Sequence, residues 1–147
     1  MRVHDAMNRL FMDSSYAIAL GSPRDRHHQD AVALAHRIKT ERIRVITTRA
    51  VIIEVGDALS KGSLRSRAVA LLDLFDGSPL IEVTPLSEEL YERGRTFFRR
   101  HRDKAWGLTD CISFVVMKDR GLTDALTADA HFRQAGFRPL LSSGRDS

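Results

Sequence analysis

Strand-like and helical segments alternate along the whole chain, and this alternation is the feature that most restricts its fold. Short apolar or β-branched runs (LFM, VITT, LIEVTP, ALTAD and FRPLLS) predict five strands, and segments with apolar residues at helical spacing lie between them. Strands and helices that alternate with short connections are typical of a parallel sheet. We therefore expect an α/β fold: one domain with a central parallel sheet of about five strands and helices on both faces.

The length and composition suit one globular domain. The 147 residues are 43% hydrophobic, which is enough to form a core. We expect the domain to span residues 9–142, with an extension at 1–8 and a polar tail at 143–147. No apolar run approaches the roughly 20 residues that cross a bilayer, the start lacks the features of a secretory signal, and the single cysteine, Cys111, excludes an internal disulfide. These features predict a cytoplasmic protein.

Four acidic residues occupy positions that should converge in such a fold. Asp13 ends the first strand and Asp129 ends ALTAD, so both should lie at the carboxyl edge of the sheet, where open parallel sheets bind ligands. Asp110 begins the apolar helix DCISFVVM and can face the same edge. Glu54 interrupts the apolar AVIIEVGDAL and is expected to lie deeper, where an isolated charge is costly. Each acid also has a structural interpretation, as a helix cap, a first-turn acid or a partner of an arginine.

A divalent cation would offset the mutual repulsion of four neighbouring carboxylates. Clustered carboxylates repel one another and raise each other's pKa unless a cation lies between them. Magnesium and manganese take carboxylate oxygens together with water, and they also bind the phosphate oxygens of a substrate. Such a site hydrolyses phosphodiesters with an activated water as the nucleophile. The sequence therefore predicts that Asp13, Glu54, Asp110 and Asp129 hold Mg²⁺ or Mn²⁺ for this reaction.

The net charge of +4 and the pI near 9.7 favour an anionic partner such as nucleic acid. The segment RGRTFFRRHRDK, residues 93–104, has six Arg or Lys residues, one acid and two phenylalanines. It is either a solvated helix face whose phenylalanines point to the core or an RNA-binding surface. Candidate RNA contacts are Arg95, Arg99, Arg100 and Arg102, with Arg65 or Arg67 as further candidates. Trp106 either stacks on a base or packs the loop before LTDC.

The segments LFMDSS, TTRAVIIEV, WGLTDCISFVVMKDRGL and ALTADAHFRQAGF together resemble the PIN-domain nucleases, including the VapC-type toxins of bacterial toxin–antitoxin pairs. The resemblance covers nearly the whole chain. By position, Asp13, Glu54, Asp110 and Asp129 match the acidic metal-binding set of that family, and Ser14 and Thr109 match small hydroxyl residues that support it. The resemblance implies a magnesium- or manganese-dependent endoribonuclease, usually dimeric, on a sheet flanked by helices.

The resemblance also implies partners. These are an RNA substrate, a second copy of the chain and, for a toxin, a VapB-type antitoxin that fills the acidic groove with a positively charged side chain. Family members often start within a few residues of the first strand, so MRVHDA is extra and Met7 is a candidate native start. Selectivity for one RNA over another depends on surface shape and unpaired bases.

Other function classes share part of this pattern. Phosphoryl-transfer enzymes of the haloacid dehalogenase type also use an aspartate after the first strand, but they need a second aspartate two residues later, where this chain has Ser15. A catalytically silent RNA-binding module and a PIN-domain RNA-processing nuclease that is not a toxin remain alternatives. His131, two residues after Asp129, is interpreted as a polar helix residue and not as a ligand.

Overall fold

The computed structural model describes residues 9–141, which form five strands and seven helices. In chain order these are β1 (Arg9–Met12), α1 (Ser14–Gly21), α2 (His28–Glu41), β2 (Arg44–Thr48), α3 (Arg49–Ala58), α4 (Leu64–Gly77), β3 (Ile81–Thr84), α5 (Glu88–Arg100), α6 (Leu108–Arg120), β4 (Asp124–Leu126), α7 (Ala130–Gln134) and β5 (Arg138–Pro139). The expected extension, Met7 and the polar tail lie outside the described residues. None of the described helices is long and apolar enough to cross a membrane.

The five strands form one parallel sheet in the order β3-β2-β1-β4-β5. Phe11 in the central strand β1 pairs with Ile46 of β2 on one side and with Ala125 of β4 on the other. The chain moves outward from β1 through β2 to β3 and then returns to β4 and β5. The strand order therefore reverses between β1 and β4, and open α/β sheets bind their ligands at such a reversal.

The predicted parallel sheet with flanking helices is confirmed. Leu10, Phe11 and Met12 of β1 are fully buried and show no polar alternation, as expected of a strand with helices on both faces. Helix α1 contacts α2, α3 and α4, and α3 contacts α4, while α5 packs along α6, which also contacts α3 and α7. In α6, every residue from Cys111 to Met117 is buried, so this helix is part of the core.

Gly94 allows α5 to approach α6 closely, and its replacement should be destabilising. A Cβ atom at this position would clash with the side chain of Ile112 and lie 3.2 Å from the Ile112 Cα atom. We expect Gly94→Ala to lower the free energy of unfolding by about 1–3 kcal/mol through overpacking. As a control, Gly56→Ala should raise it by up to about 1 kcal/mol, because Gly56 is also helical but its Cβ would meet only Leu72, at 3.9 Å. Denaturant unfolding measures both variants, and equal losses would contradict the proposed role of the α5–α6 contact.

Candidate metal centre

Asp13 lies at the strand reversal, where β1 ends and α1 begins. Its backbone N–H donates to the Leu126 carbonyl of β4 at 3.1 Å, which fixes the residue between the two central strands. Its side chain also caps α1, accepting from the Ser15 N–H at 3.5 Å. Asp13 is only 3% exposed. Burial raises the pKa of this carboxyl to about 6, and the nearby charge of Asp110 adds to the shift.

Asp129 and Asp110 are also held by helix starts, so their structural and functional interpretations are compatible. Asp129 lies three residues beyond the end of β4, not at its last residue, and its Oδ1 accepts from the His131 N–H at 2.9 Å to cap α7. Asp110 is in the first turn of α6, where its Oδ2 accepts from the Gly107 N–H at 3.2 Å. Within residues 9–141, the hydrogen bonds to each of these carboxylates reach a single oxygen. The second oxygen of each is available to a ligand.

His131 belongs to this cluster, which the sequence analysis did not expect. Its Nδ1 atom lies 3.1 Å from Asp110 Oδ2 and 3.4 Å from Asp129 Oδ1. Ligand atoms of Asp110, Asp129 and His131 all lie within 4.8 Å of one another. The signal available in the sequence was the spacing: a residue two positions after a capping aspartate shares the first helical turn with it. The imidazole is therefore placed to orient both carboxylates.

Glu54 reaches the same edge from α3, but it is exposed and does not lie deep as expected. Val51, Ile52 and Val55 turn into the core while Ile53 and Glu54 face outward. The hydroxyl groups of Ser14 and Thr109 act on the Glu54 carboxyl in the direction that lowers its pKa. Its pKa is nevertheless raised, chiefly because the surrounding protein partly desolvates it and also because of the charges of Asp110 and Asp129. Ser14 and Thr109, which were predicted as supporting residues, therefore both influence the pKa of Glu54.

The cluster carries more negative charge than the surrounding side chains neutralise. Burial also raises the pKa of Asp110, with a further contribution from Asp129, against the opposing effects of His131 and the Gly107 amide. Among residues 9–141, neither Asp13 nor Glu54 has a Lys, Arg or His within ion-pair distance, so the arginine partner considered for Glu54 is not found there. Raised carboxyl pKa values at a cleft indicate a site that favours a cation.

Two hydroxyl residues that the sequence analysis did not assign connect Asp13 to Asp129. Thr127 Oγ1 donates to Asp13 Oδ2 at 2.8 Å and accepts from the Asp129 N–H at 3.0 Å. Ser15 Oγ donates to the same Asp13 oxygen at 3.1 Å and accepts from the Ala128 N–H at 3.0 Å. Ser15 and Thr127 are 112 positions apart in the chain. Only the pairing of β1 with β4 brings them together, so no local pattern could have revealed this network.

Replacing Thr127 with valine should destabilise the protein at neutral pH. Valine keeps the shape but removes the closest hydroxyl donor to the buried Asp13 carboxylate, at an expected cost of about 1–3 kcal/mol in the free energy of unfolding. Thr127→Ser keeps the hydroxyl and should lose only about 0.8 kcal/mol for one buried methyl group. Urea unfolding with chelator present measures both. A serine variant that loses as much as the valine variant would show that packing, and not the hydrogen bond, matters here.

The donor set fits a hard divalent cation. Carboxylate oxygens from Asp110 and Asp129 lie within reach of one ion, and Asp13 and Glu54 add negative charge at the same edge of the sheet. Oxygen-rich sites of this kind suit Mg²⁺ and Mn²⁺ better than thiolate-preferring metals. The one cysteine, Cys111, is buried in α6, where burial raises the pKa of its thiol to about 11 and removes it from metal chemistry.

The basic segment and Trp106 differ in exposure. Trp106 is only 6% exposed, its Nε1 donates to Gln134 Oε1 at 3.0 Å, and its ring packs against Phe97 and Phe114. The burial of this ring favours the interpretation in which Trp106 packs the loop before α6 over the one in which it stacks on a base. Arg95, Arg99, Arg100 and Arg102 are exposed. Of the two further candidates, Arg65 is exposed and donates to the Ser60 carbonyl at 2.8 Å, and Arg67 is exposed.

Comparison with known proteins gives matches over almost the whole chain. A family model described as PIN domain matches residues 10–138. The 23S rRNA-specific endonuclease VapC20 of Mycobacterium tuberculosis is 28% identical over 131 residues, which are 87% of this chain and 95% of that protein. The crystal structure of VapC20, described as a sarcin-ricin loop cleaving toxin, superposes with a TM-score of 0.76 at 27% identity, with 87% of this chain and 95% of that chain covered. FitAcB from Neisseria gonorrhoeae matches in fold alone, with a TM-score of 0.59, 17% identity and coverage of 88% and 94%.

Proposed function

The chain belongs to the PIN domain family, as its motifs predicted, and from this premise we propose that it is a metal-dependent endoribonuclease and the toxin of a VapBC-type toxin–antitoxin pair. The observation that carries the proposal is the cluster of carboxylates at the carboxyl edge of the sheet, where the pKa values of Asp13, Glu54 and Asp110 are raised and too few cations lie nearby. The similarity to VapC20, a 23S rRNA-specific endonuclease, supports RNA as the substrate.

The catalytic and metal-binding set that we propose is Asp13, Glu54, Asp110 and Asp129. A bound Mg²⁺ or Mn²⁺ would supply an activated water for attack on the phosphodiester and would stabilise the leaving oxygen. Within the protein, Ser15 and Thr127 orient Asp13, and Ser14 and Thr109 orient Glu54. His131 holds Asp110 and Asp129 at a fixed separation. Such supporting contacts determine how well ligands are presented to a metal.

Cleavage of total cellular RNA by the purified protein tests the function. We expect cleavage with Mg²⁺ or Mn²⁺, none with chelator, and recovery when metal is added in excess of the chelator. Intact ribosomes should be tested as well as free RNA, because VapC20 is described as specific for 23S rRNA. Comparison of the two metals at equal concentration would establish the preference. A folded wild-type protein that binds RNA but cuts neither free nor ribosomal RNA would favour the silent RNA-binding module.

The partners that we propose are an antitoxin and a second copy of the chain. The acidic edge of the sheet suits an antitoxin that inserts a positively charged side chain, and a complex structure with this groove open would contradict that placement. Exposed apolar side chains on two contacting helices, Ile53 of α3 and Val69 of α4, support a homodimer. Sedimentation velocity across a range of concentrations measures the oligomeric state, and a monomer throughout would exclude the homodimer.

A further inference from the structure

One side of α5 and the turn after it form a basic concave surface with an aromatic residue at its centre. Arg95, Phe98, Arg99 and Arg102 are spaced i, i+3, i+4 and i+7, so they share one face of the helix and its extension. Together with His101 and Lys104 they line a concavity of about 440 Å³. We call this the Phe98 surface. It differs from the acidic cluster in charge and belongs to a separate set of residues.

Phe98 is exposed although the phenylalanine before it is not. Phe97 packs against the rings of Trp106, Phe114 and His101, whereas Phe98 remains 46% exposed among the arginines. Adjacent helical residues point about 100° apart, so only one of the two phenylalanines can face the core. The ring of Phe98 thus presents an apolar face to solvent within a cationic surface, which is the combination that binds single-stranded nucleic acid.

Only some of the basic side chains of the Phe98 surface form ion pairs within the described part of the protein. Arg95 pairs with Glu92 at 3.3 Å and Lys104 with Asp103 at 3.0 Å, but Arg99 and Arg102 have no ion-pair partner among residues 9–141. Other arginines of α5 differ. Arg93 makes two hydrogen bonds to Asp119 of α6, at 2.6 and 2.8 Å, and Arg100 lines a separate groove with Glu89 and Glu92. Two guanidinium groups of the surface are therefore available to phosphates.

The Phe98 surface is joined to the acidic cluster by a short, well-packed loop. The His101 ring stacks on Phe97 with centroids 4.3 Å apart and lies 5.1 Å from the Trp106 ring. Trp106 is hydrogen-bonded to Gln134 of α7, and the next residue, Gly107, donates to Asp110. Lys104 and Asp110 are six positions apart in the chain, so their Cα atoms are at most about 22 Å apart. One RNA strand can thus contact both places.

We propose that the Phe98 surface is a single-stranded RNA subsite in which an unpaired base stacks on Phe98 and the adjoining phosphates bind Arg99 and Arg102. This inference rests on the proposed function, because it takes RNA as the substrate of the acidic cluster. The site requires unpaired bases, since the bases of an A-form duplex are stacked on one another and are not presented to a protein side chain. It would hold the looped or unpaired part of the substrate beside the centre that cuts it.

The test is fluorescence anisotropy with a short, labelled, mixed-sequence single-stranded RNA, in chelator so that nothing is cut. Phe98→Leu keeps an apolar side chain but removes the ring, and we expect it to weaken binding about fivefold or more. Phe98→Trp should restore the affinity. The double variant Arg99→Gln and Arg102→Gln should weaken binding and lower the slope of log affinity against log salt by about 1.4, which is about 0.7 for each lost phosphate contact.

Matched controls separate this subsite from general charge attraction. Arg100 was a candidate RNA contact in the sequence analysis, but it lines the groove with Glu89 and Glu92 and not the subsite. Arg100→Gln loses the same charge from the same helix turn, so under this proposal its salt slope should match that of the wild type. For a fully paired RNA duplex, Phe98→Leu should bind as the wild type does. The single variants Arg99→Gln and Arg102→Gln match Arg100→Gln in charge and should lose more affinity for single-stranded RNA than it does. Equal losses of affinity in Arg100→Gln and in either of these variants, or no effect of Phe98→Leu on the binding of single-stranded RNA, would overturn the proposal. An acidic peptide should be tested as a competitor with the same variants. If it displaced the RNA, and its own binding depended on Arg99 and Arg102 but not on Phe98, the RNA subsite would be wrong.

Total RNA cleavage by the same preparations separates this inference from the proposed function. If the wild type cuts RNA and Phe98→Leu binds single strands normally, the subsite is wrong and the nuclease assignment stands. If the wild type cuts no RNA, but the variants at Phe98 or at the two arginines bind single-stranded RNA more weakly than the wild type does, the subsite stands and the nuclease assignment fails. A wild type that binds no single-stranded RNA overturns the subsite.

Discussion

Replacing Asp110 with asparagine is expected to lower metal-dependent RNA cleavage at least about a hundredfold. Loss of a residue that merely supports a metal ligand costs about 10- to 100-fold, so loss of a ligand itself should cost no less. Asparagine can still accept the Gly107 N–H bond that holds the start of α6, so the fold should persist. Initial cleavage rates with saturating Mn²⁺ measure the loss. Thermal unfolding should show that Mn²⁺ stabilises the wild type but not the variant, because stabilisation follows binding to the folded state.

Asp57→Asn is the matched control for Asp110→Asn. Asp57 lies on α3 one turn after Glu54, but it is exposed, and unlike Asp110 it has no ligand atom within 4.8 Å of those of Asp129 and His131. The same acid-to-amide change there should leave both cleavage and the Mn²⁺-dependent stabilisation intact. If Asp57→Asn lost cleavage to the same extent, the effect would reflect overall charge. If Asp110→Asn cut RNA at the wild-type rate, Asp110 would not be a ligand and the centre would have to be reassigned.

The architecture could be predicted because its signals are local. RLFM and VITT are short runs with no polar alternation, which is what a parallel strand between two helix layers requires. The helical segments between them begin at residue types that favour helix caps: Thr48 caps α3 and Ser87 caps α5. Once the alternation defines a parallel sheet, the residues that follow β1 and β4 must lie at its carboxyl edge. Asp13 and Asp129 could therefore be placed near each other from the sequence.

The parts of the site that could not be predicted depend on contacts between distant segments. Thr127 meets Asp13, 114 positions away, and His131 meets Asp110, 21 positions away. Glu54 was expected in the core because its neighbours are apolar, but the rotation of α3 was not known, and an outward-facing position is cheaper for a charge. The sequence could have predicted that Phe97 and Phe98 differ in exposure, because adjacent helical residues cannot share one face. Which of the two faces the core depended on how α5 packs against α6.

The helix caps explain how the same acids can be structural and functional. A capping aspartate or first-turn acid uses one carboxylate oxygen for backbone N–H groups, as Asp129 and Asp110 do. That bond fixes the orientation of the side chain, so the second oxygen is presented without a large entropic cost. Three helix starts, those of α1, α6 and α7, thereby aim carboxylates at one edge of the sheet. The arrangement costs stability, because charge that would be solvated in the unfolded chain is concentrated in a partly buried site.

Asp13→Asn is expected to make the metal-free protein more stable while it abolishes metal-dependent cleavage. The pKa of Asp13 is about 6 in the folded protein and 3.8 in its ordinary range, so the folded state holds this proton more tightly. Folding stability therefore falls as the pH rises from about 4 to above 6, with a total loss of about 3 kcal/mol from this one buried group. Asparagine stays neutral, still accepts from Thr127 and Ser15 and still caps α1. Urea unfolding in chelator should show a gain for the variant near pH 8 and little difference near pH 4.

Asp13→Ala separates the charge from the hydrogen bonds. Alanine removes the same charge but leaves α1 without its cap and Thr127 without its acceptor, so this variant should be less stable than Asp13→Asn by about 1–3 kcal/mol at every pH. Added Mn²⁺ should reverse the order of wild type and Asp13→Asn at neutral pH, because only the wild type retains the full ligand set whose repulsion a cation relieves. The contrary result would be an Asp13→Asn variant that is less stable than the wild type near pH 8 in chelator, with an unchanged pH dependence of the free energy of unfolding. That result would show that the charge of Asp13 does not destabilise the fold, and Asp110 and Glu54 would then be the carboxylates that favour cation binding.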